Sequence, residues 1–232
     1  MATIIGQAQQ TSVERVAEDE ERIVRLFRDG AMVGVDWIDA LVLEGRVHGV
    51  NTGTGTSPDT FNLTYTDARQ DLYIFVPAGT VIIPLYIGVN FENTSTSIAA
   101  DIIAGYSSNG DSSVAGSSLT IANFKTLASP VSACTATAVV TSGGTTHLGG
   151  TDFLEFWRPY GGFIIDAFGG SIANLGSGLG SPHYMNFSAR KHVAPVIGSE
   201  GTGCALSVFA SVTAGTGFLT AVWAELNASD VA

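Results

Sequence analysis

Four histidines are the residues of this chain best suited to ligate a metal or to transfer protons near neutral pH: His48, His147, His183 and His192. A protein zinc site needs several such ligands converging at tetrahedral geometry, and motifs such as HExxH or paired CxxC supply them at fixed spacing. Neither motif occurs in the sequence, and the nine-residue separation of His183 from His192 does not place both on one face of a strand. The sequence therefore predicts no metal site and no bound cofactor.

Carboxylates are numerous enough to supply the acid pair of a glycosidase. Six of them lie in segments with strand or turn character: Asp36, Asp39, Glu44, Asp152, Glu155 and Asp166. Their spacing favours ordinary acids at strand edges and turns over a catalytic pair. The GSGLG segment at 176–180 is weak as a dinucleotide loop because no strand-loop-helix context surrounds it, and no GxSxG nucleophile motif occurs. We predict no catalytic residues and no enzymatic activity.

The three tryptophans, Trp37, Trp157 and Trp223, are scattered, and each has apolar neighbours in the sequence. Such surroundings favour packing in a core or between subunits over a platform for sugar rings. Trp157 opens the segment WRPY at 157–160, which is the best candidate for an exposed aromatic cluster beside polar groups. We predict that Trp37, Trp157, Tyr160 and Trp223 contribute to a subunit interface.

Charge is sparse and acidic along the chain. Charged residues make up 13% of the sequence, against roughly 25% in typical soluble domains, while hydrophobic residues make up 45%. The formal net charge of −11 opposes direct binding of nucleic acid, which needs a basic patch. The excess of acid and scarcity of lysine fit either a high-salt environment or compositional drift. A surface with so few charges favours burial against further copies of the chain, so we predict a homo-oligomer.

The sequence also bears on secretion, on membrane insertion and on the state of the two cysteines. The start MATIIGQAQQ lacks the basic and long apolar regions of a secretory signal, and no run of 18 apolar residues predicts a helical membrane span. Cys134 and Cys204 are expected to be buried free thiols, with disulfides within or between chains left open as alternatives.

Residues 1–30 are predicted to form an N-terminal arm followed by a short amphipathic helix. Thr11 and Glu14 fit a capping box, and Asp29-Gly30 ends the helical pattern. The apolar residues at helical spacing are Val13, Val16, Ile23, Val24 and Phe27. Two interpretations stay open: a solvated helix packed on the domain edge, and an arm that docks on a neighbouring subunit.

Residues 31–232 are predicted to form one all-β domain. Short apolar runs separated by turn signals indicate about ten to twelve strands, typical of a sandwich or barrel rather than a parallel α/β fold. Strands are expected at 31–38 and 40–50, and Gly/Ser-rich loops at 107–118 and 141–150.

The segment LYIFVPAGTVIIPLYIGVNFE at 72–92 predicts a hairpin with a rigid corner. Two apolar runs meet at 77–80, where Pro77 fixes φ and Gly79 permits a positive φ. Pro84 lacks a ladder donor and is expected at an edge or bulge. One face of these strands fills a sandwich core, and the other needs a helix, a strand or another subunit to cover it.

These features together resemble the single jelly-roll major capsid proteins of tailless icosahedral double-stranded DNA viruses with an internal membrane, including those that infect halophilic archaea. The resemblance rests on the N-terminal arm and helix, the 72–92 block, the two Gly/Ser loops, the final strand FLTAVWAEL and the acidic, lysine-poor composition. It covers about residues 11–228 and is one of pattern. It implies a jelly-roll β-barrel standing upright in capsomers of several copies, over a lipid membrane, with no enzymatic activity.

The expected function is therefore that of a virion structural protein located in the capsid, with copies of itself, other capsid proteins and an internal membrane as neighbours. Contact with an anionic membrane or genome needs basic residues, whereas the arm is acidic. The arm is therefore expected to contact a neighbouring capsomer. Two alternatives are a non-enzymatic, lectin-like carbohydrate-binding sandwich and, less favoured, a β-rich glycoside hydrolase.

Overall fold

The computed structural model describes nine stretches of the chain: residues 37–62, 69–94, 98–126, 130–142, 152–158, 163–165, 183–186, 194–211 and 215–231. The amphipathic helix predicted within residues 1–30 lies outside them, so it stays a prediction.

One helix and fourteen strands are found in the described residues. The helix, α1, spans Trp37–Glu44. The strands are β1 (Val47–Asn51), β2 (Asp59–Thr60), β3 (Leu72–Val76), β4 (Thr80–Thr94), β5 (Ile98–Ser107), β6 (Ala115–Leu119), β7 (Ala122–Asn123), β8 (Thr135–Ser142), β9 (Phe153–Trp157), β10 (Phe163–Ile165), β11 (His183–Asn186), β12 (Ile197–Gly198), β13 (Cys204–Ser211) and β14 (Gly215–Asn227). A 3-10 helix at Ala228–Asp230 follows β14.

The strands form two antiparallel sheets, which confirms the predicted all-β class. Sheet I has the order β11-β4-β14-β1-β7, with β12 beside β4 and β2 beside β14. Sheet II has the order β10-β5-β13-β3-β8-β6, with β9 beside β5. The longest pairing joins β4 to β14 from Thr80 opposite Asn227 to Thr94 opposite Gly215.

The main core lies between the sheets. Trp223 and Leu219 contribute from β14, Ile74 from β3 and Leu206 from β13, all essentially inaccessible to solvent. Strand β13 is buried at seven of its eight positions, which means that both of its faces are covered. Strands covered on both sides read as continuous apolar runs, as β13 and β3 do.

The first two predicted strands are wrong in part, because residues 37–44 form α1 and the strand begins only at Val47. Ile38, Leu41 and Val42 follow helical spacing and pack on a second apolar cluster on the outer face of sheet I. Gly45 ends the helix with φ +76, its N–H donating to the Val42 carbonyl at 2.9 Å. The next N–H, of Arg46, donates to the Leu41 carbonyl at 2.9 Å, which completes a Schellman motif.

The corner at 77–80 is confirmed, but the hairpin is wrong. The Thr80 N–H donates to the Pro77 carbonyl at 3.2 Å, and Gly79 has φ +82, as the third residue of a type II turn requires. However, β3 pairs with β13 and β8 in sheet II, whereas β4 pairs with β14 in sheet I. The corner therefore carries the chain from one sheet to the other.

Pro84 sits at an irregularity, as predicted. The register of β4 against β14 shifts there, with Trp223 opposite Pro84 and Val222 opposite Tyr86. On its other side β4 pairs with β12 at Val81 and Ile82 and with β11 from Tyr86 onward, so Pro84 falls between the two described ladders. The missing N–H is thus placed where it breaks no described ladder bond.

The loop expected at 107–118 is wrong at both ends, because Ser107 belongs to β5 and residues 115–119 form β6. Of the loop expected at 141–150, residues 141 and 142 belong to β8 and the others lie outside the described residues. A Cβ at Gly116 would lie 2.7 Å from the Ala138 carbonyl oxygen of β8, so the glycine permits the close approach. Pairing with β8, rather than local propensity, makes this Gly/Ser segment a strand.

Candidate functional site

One end of the sandwich, where β1 begins and β14 ends, holds an open cavity of about 620 Å³. Its lining includes Arg46 just before β1, His48 of β1, Glu225 of β14, Lys125 after β7 and Val131 before β8. Helix α1 reaches the same cavity through Glu44. The Schellman turn after α1 and the start of β1 place these side chains together.

His48 lies under this cavity, only 3% exposed. It is opposite Trp223 in the ladder, and the two rings stack with centroids 6.3 Å apart. Alternation along β14 puts Glu225 on the same face as Trp223, so the carboxylate is a diagonal neighbour of the imidazole. Burial lowers the pKa of His48 below its ordinary value, and the negative charge of Glu225 opposes this shift.

Glu225 closes the end of the sandwich by holding the segment that leads into β8. Its carboxylate accepts hydrogen bonds from the Ser132 hydroxyl at 2.6 Å and from the Ala133 backbone N–H at 2.8 Å. A strand of sheet I is thereby tied to the start of a strand of sheet II. The adjacent Cys134 is a buried free thiol, and its pKa is raised, chiefly by burial and also by Glu225.

Arg46 links three elements at the rim of the cavity. Its guanidinium lies 3.1 Å from the Glu44 carboxylate of α1 and 3.4 Å from the Asp230 carboxylate after β14. The Arg46 carbonyl also accepts a 2.8 Å hydrogen bond from the Glu225 N–H. These contacts tie α1, the start of β1 and the residues after β14 together at this end of the sandwich.

A second buried polar group, Asp71, lies in the turn before β3. One carboxylate oxygen accepts hydrogen bonds from the backbone N–H and side-chain amide of Asn62, at 2.8 and 3.2 Å. The other accepts from the Ala210 N–H at 2.7 Å. Burial raises the pKa of Asp71 to about 7 despite these donors. The sequence around His48, Asp71 and Glu225 does not indicate that these side chains are buried or bonded to distant elements. Sequence reasoning therefore missed the structural role of each.

The four residues predicted for an interface do not form one cluster. Trp223 is completely buried in the core between the sheets, so its assignment to an interface is wrong. Trp37 lies on α1 and is 51% exposed, which leaves it available. Trp157 is half-buried at the end of β9 and packs against the core. Tyr160 lies outside the described residues.

The six predicted carboxylates are likewise dispersed. Glu155 is paired with Arg158, whose guanidinium also contacts Asp101 at 2.6 Å. Asp39 and Glu44 lie on exposed positions of α1. Asp152 precedes β9 and accepts a 3.4 Å hydrogen bond from the Ser107 hydroxyl, while Asp36 and Asp166 fall outside the described residues.

The remaining candidate residues are the histidines, as metal ligands, and the two cysteines. His183 begins β11, and His147 and His192 are not among the described residues. Within the described part of the chain, no group of three or more His, Cys, Asp and Glu side chains converges to hold a metal ion. Cys204, like Cys134, is a buried free thiol, which confirms that prediction.

Among the helical residues the structure describes, none belongs to a helix long and apolar enough to span a membrane.

Comparison with protein-family models, curated proteins and solved structures finds no match to this chain. Support for a function therefore comes from its fold and surface.

Proposed function

We propose that this chain is a virion structural protein, a jelly-roll that self-assembles into the capsomers of an icosahedral capsid. The observation that carries the proposal is the spread of exposed, large apolar side chains over several sides of the sandwich. Trp37 and Leu43 are exposed on α1, outside sheet I. Phe124 and Val131 are exposed near β7 and β8, and Leu154 on β9 near the opposite edge of sheet II.

Such a distribution suits a subunit surrounded by neighbours. A small-ligand site concentrates apolar groups in one concave patch, whereas contacts with several neighbouring subunits use apolar groups on several sides. With charged residues at only 13% of the sequence, the surface between these groups is weakly solvated. Burial against further copies gives these side chains the cover that the single chain lacks.

The strand order supports the jelly-roll assignment. Eight strands, taken in chain order and numbered one to eight, form its frame: β1, β3, β4, β5, β10, β11, β13 and β14. They lie in the order 1-8-3-6 in sheet I and 2-7-4-5 in sheet II, so successive strands cross repeatedly between the sheets. This is the order of a sandwich of two Greek keys. Capsid and lectin domains both use that fold, so the order supports the function only together with the surface.

The carbohydrate-binding alternative depends on the WRPY segment and has less support. A sugar platform needs an open aromatic face, whereas Trp157 packs half-buried against the core. Arg158 is engaged by Asp101 and Glu155 rather than presented to a ligand. The glycosidase alternative has the same weakness, since Glu155 is held by that arginine.

The test is the molar mass of the purified native protein, measured by light scattering at low and at multimolar salt. We expect stable multimers or shell-sized particles, favoured at high salt because salt screens the −11 charge on each copy. A monomer at both salt concentrations contradicts self-assembly. Specific binding on a glycan array by such a monomer favours the carbohydrate-binding function instead.

A further inference from the structure

One region of the chain is almost free of charge. The forty residues from 112 to 151 contain a single Asp, Glu, Lys or Arg, namely Lys125. At the average of 13% for the whole sequence, about five charged residues are expected in that length. The described parts of this region, 112–126 and 130–142, include β6, β7, β8 and Lys125, and we call the surface they form the β6–β8 side.

The β6–β8 side extends the jelly-roll frame at one lateral edge. In sheet II, β8 pairs with β3 and β6 pairs with β8, which makes β6 the last strand of the path. In sheet I, β7 pairs with β1 and ends that path. Only residues 120 and 121 separate β6 from β7, so the two sheet edges lie side by side on the same flank.

Strand β6 is an open edge among the described residues. Ala115, Gly116, Ser117 and Ser118 are exposed, and Leu119 is half-buried. The row of N–H and C=O groups turned away from β8 is a template for another strand. Natural edges are commonly blocked by lysine, proline, inward charges or a β-bulge, and β6 carries no lysine, proline or charge. A register shift between Ala115 and Ser117 leaves 117–119 as the regular part of the edge.

We infer that the β6–β8 side is a contact between two copies of this chain, in which their β6 strands pair antiparallel with Ser118 opposite Ser118. The inference rests on the proposed function, because it specifies one contact through which the subunits assemble. Each copy carries a net charge of −11, so copies repel least where their facing surfaces lack charge. A two-fold contact also matches a surface with itself, which an uncharged edge permits.

Exposed apolar side chains flank this edge and add area to the same contact. Phe124 follows β7 and is 53% exposed, and Val131 precedes β8 and is 93% exposed. Val131 also borders the cavity lined by Glu44, Lys125 and Glu225, so the part of this flank without charged residues is β6 and β8 themselves. A second copy gains strand hydrogen bonds together with burial of these side chains.

The first test places like charges across the proposed axis. Ser118→Asp puts two carboxylates opposite each other, and we expect at least about a tenfold rise in the protein concentration needed for half-assembly, measured by light scattering. Thr56→Asp is the matched control, since Thr56 is also exposed but lies in the loop after β1. Both variants should unfold at the wild-type denaturant midpoint, because neither side chain is buried.

A second test reports the contact directly. Ser118→Cys should give a covalent dimer with a short thiol-specific cross-linker, whereas Thr56→Cys should not. The native Cys134 and Cys204 are buried and give little background.

The outcomes separate the two proposals. Wild-type multimers that Ser118→Asp leaves unchanged, with no Ser118→Cys cross-link, overturn the β6 contact while the proposed capsid function stands. A cross-linked dimer that never grows into larger multimers supports the β6 contact and contradicts the capsid function. A wild-type chain that is monomeric at every salt concentration and gives no cross-link overturns both.

Discussion

Asp71 accepts a 2.7 Å hydrogen bond from the backbone N–H of Ala210, a residue 139 positions further along the chain. The bond ties the turn before β3 to the end of β13. Since Asp71 is only 1% exposed, its carboxyl group loses its contact with water when it accepts this hydrogen bond, and that loss disfavours the charged form. The contact therefore couples the stability of sheet II to protonation.

Stability should fall as Asp71 ionises. Burial raises the pKa of Asp71 from 3.8 to about 7. At pH values between 3.8 and about 7, Asp71 is protonated in the folded chain and ionised in the unfolded chain. Its contribution to the unfolding free energy therefore decreases from pH 4 to pH 7 and is constant above pH 7. Asp71→Asn removes the titration. We expect the unfolding free energy of the wild type minus that of the variant to fall between pH 5 and pH 8, by on the order of a few kcal/mol.

Chemical denaturation at several pH values measures this difference, with Asp39→Asn on the exposed face of α1 as the control. The control removes an exposed carboxylate, so a pH dependence found only with Asp71→Asn is due to the buried position of Asp71. A constant or rising difference for Asp71→Asn over the same range would show that Asp71 is already ionised at pH 5 in the folded chain.

The corner between the sheets gives a second prediction. Gly79 has φ +82, and a Cβ there would meet nothing within 4 Å, so the backbone conformation alone opposes a side chain. Gly79→Ala should therefore lower the unfolding free energy by about 1 kcal/mol. Gly55 also has open space around it but lacks a positive φ, so Gly55→Ala should be neutral or stabilise by up to about 1 kcal/mol. Equal effects of the two substitutions on the denaturant midpoint would contradict this account of the corner.

How far the sequence predicted the fold depends on the range of the interaction involved. The corner at 77–80 and the bulge at Pro84 follow from the backbone restrictions of proline and glycine, and both were predicted. The hairpin was not, because pairing partners are chosen by distant strands such as β13 and β14. Runs that are apolar on both faces leave that choice undetermined.

Two further errors have the same origin. The sequence of α1 is apolar on nearly every side, so helical and strand periods compete, and packing on sheet I decides in favour of the helix. Strand β6 has the composition of a loop, and its pairing with β8 makes it a strand. Neither the ring stack of His48 nor the buried carboxylate of Asp71 has a local signal, since both arise from long-range contacts.

The tryptophans should separate folding from assembly. Trp223 fills the core, so Trp223→Ala should cost about 3–5 kcal/mol of unfolding free energy. Trp37 is half-exposed on α1, so Trp37→Ala should change that free energy by only about 0.5 kcal/mol while reducing the mass of the multimers. Denaturation and light scattering on the same samples measure the two effects. Unchanged multimers after Trp37→Ala would remove this residue from the interface.

The pair of His48 and Glu225 gives the last prediction. Burial lowers the pKa of His48 and the charge of Glu225 raises it, so Glu225→Gln leaves burial unopposed. We expect the pKa of His48 to fall further below 6.5 in this variant, as followed by NMR of its ring protons. Glu44→Gln is the control, because Glu44 lines the same cavity but pairs with Arg46. A pKa of His48 that shifts equally in both variants, or rises in Glu225→Gln, would mean that the cavity as a whole, and not this carboxylate, sets the protonation of the imidazole.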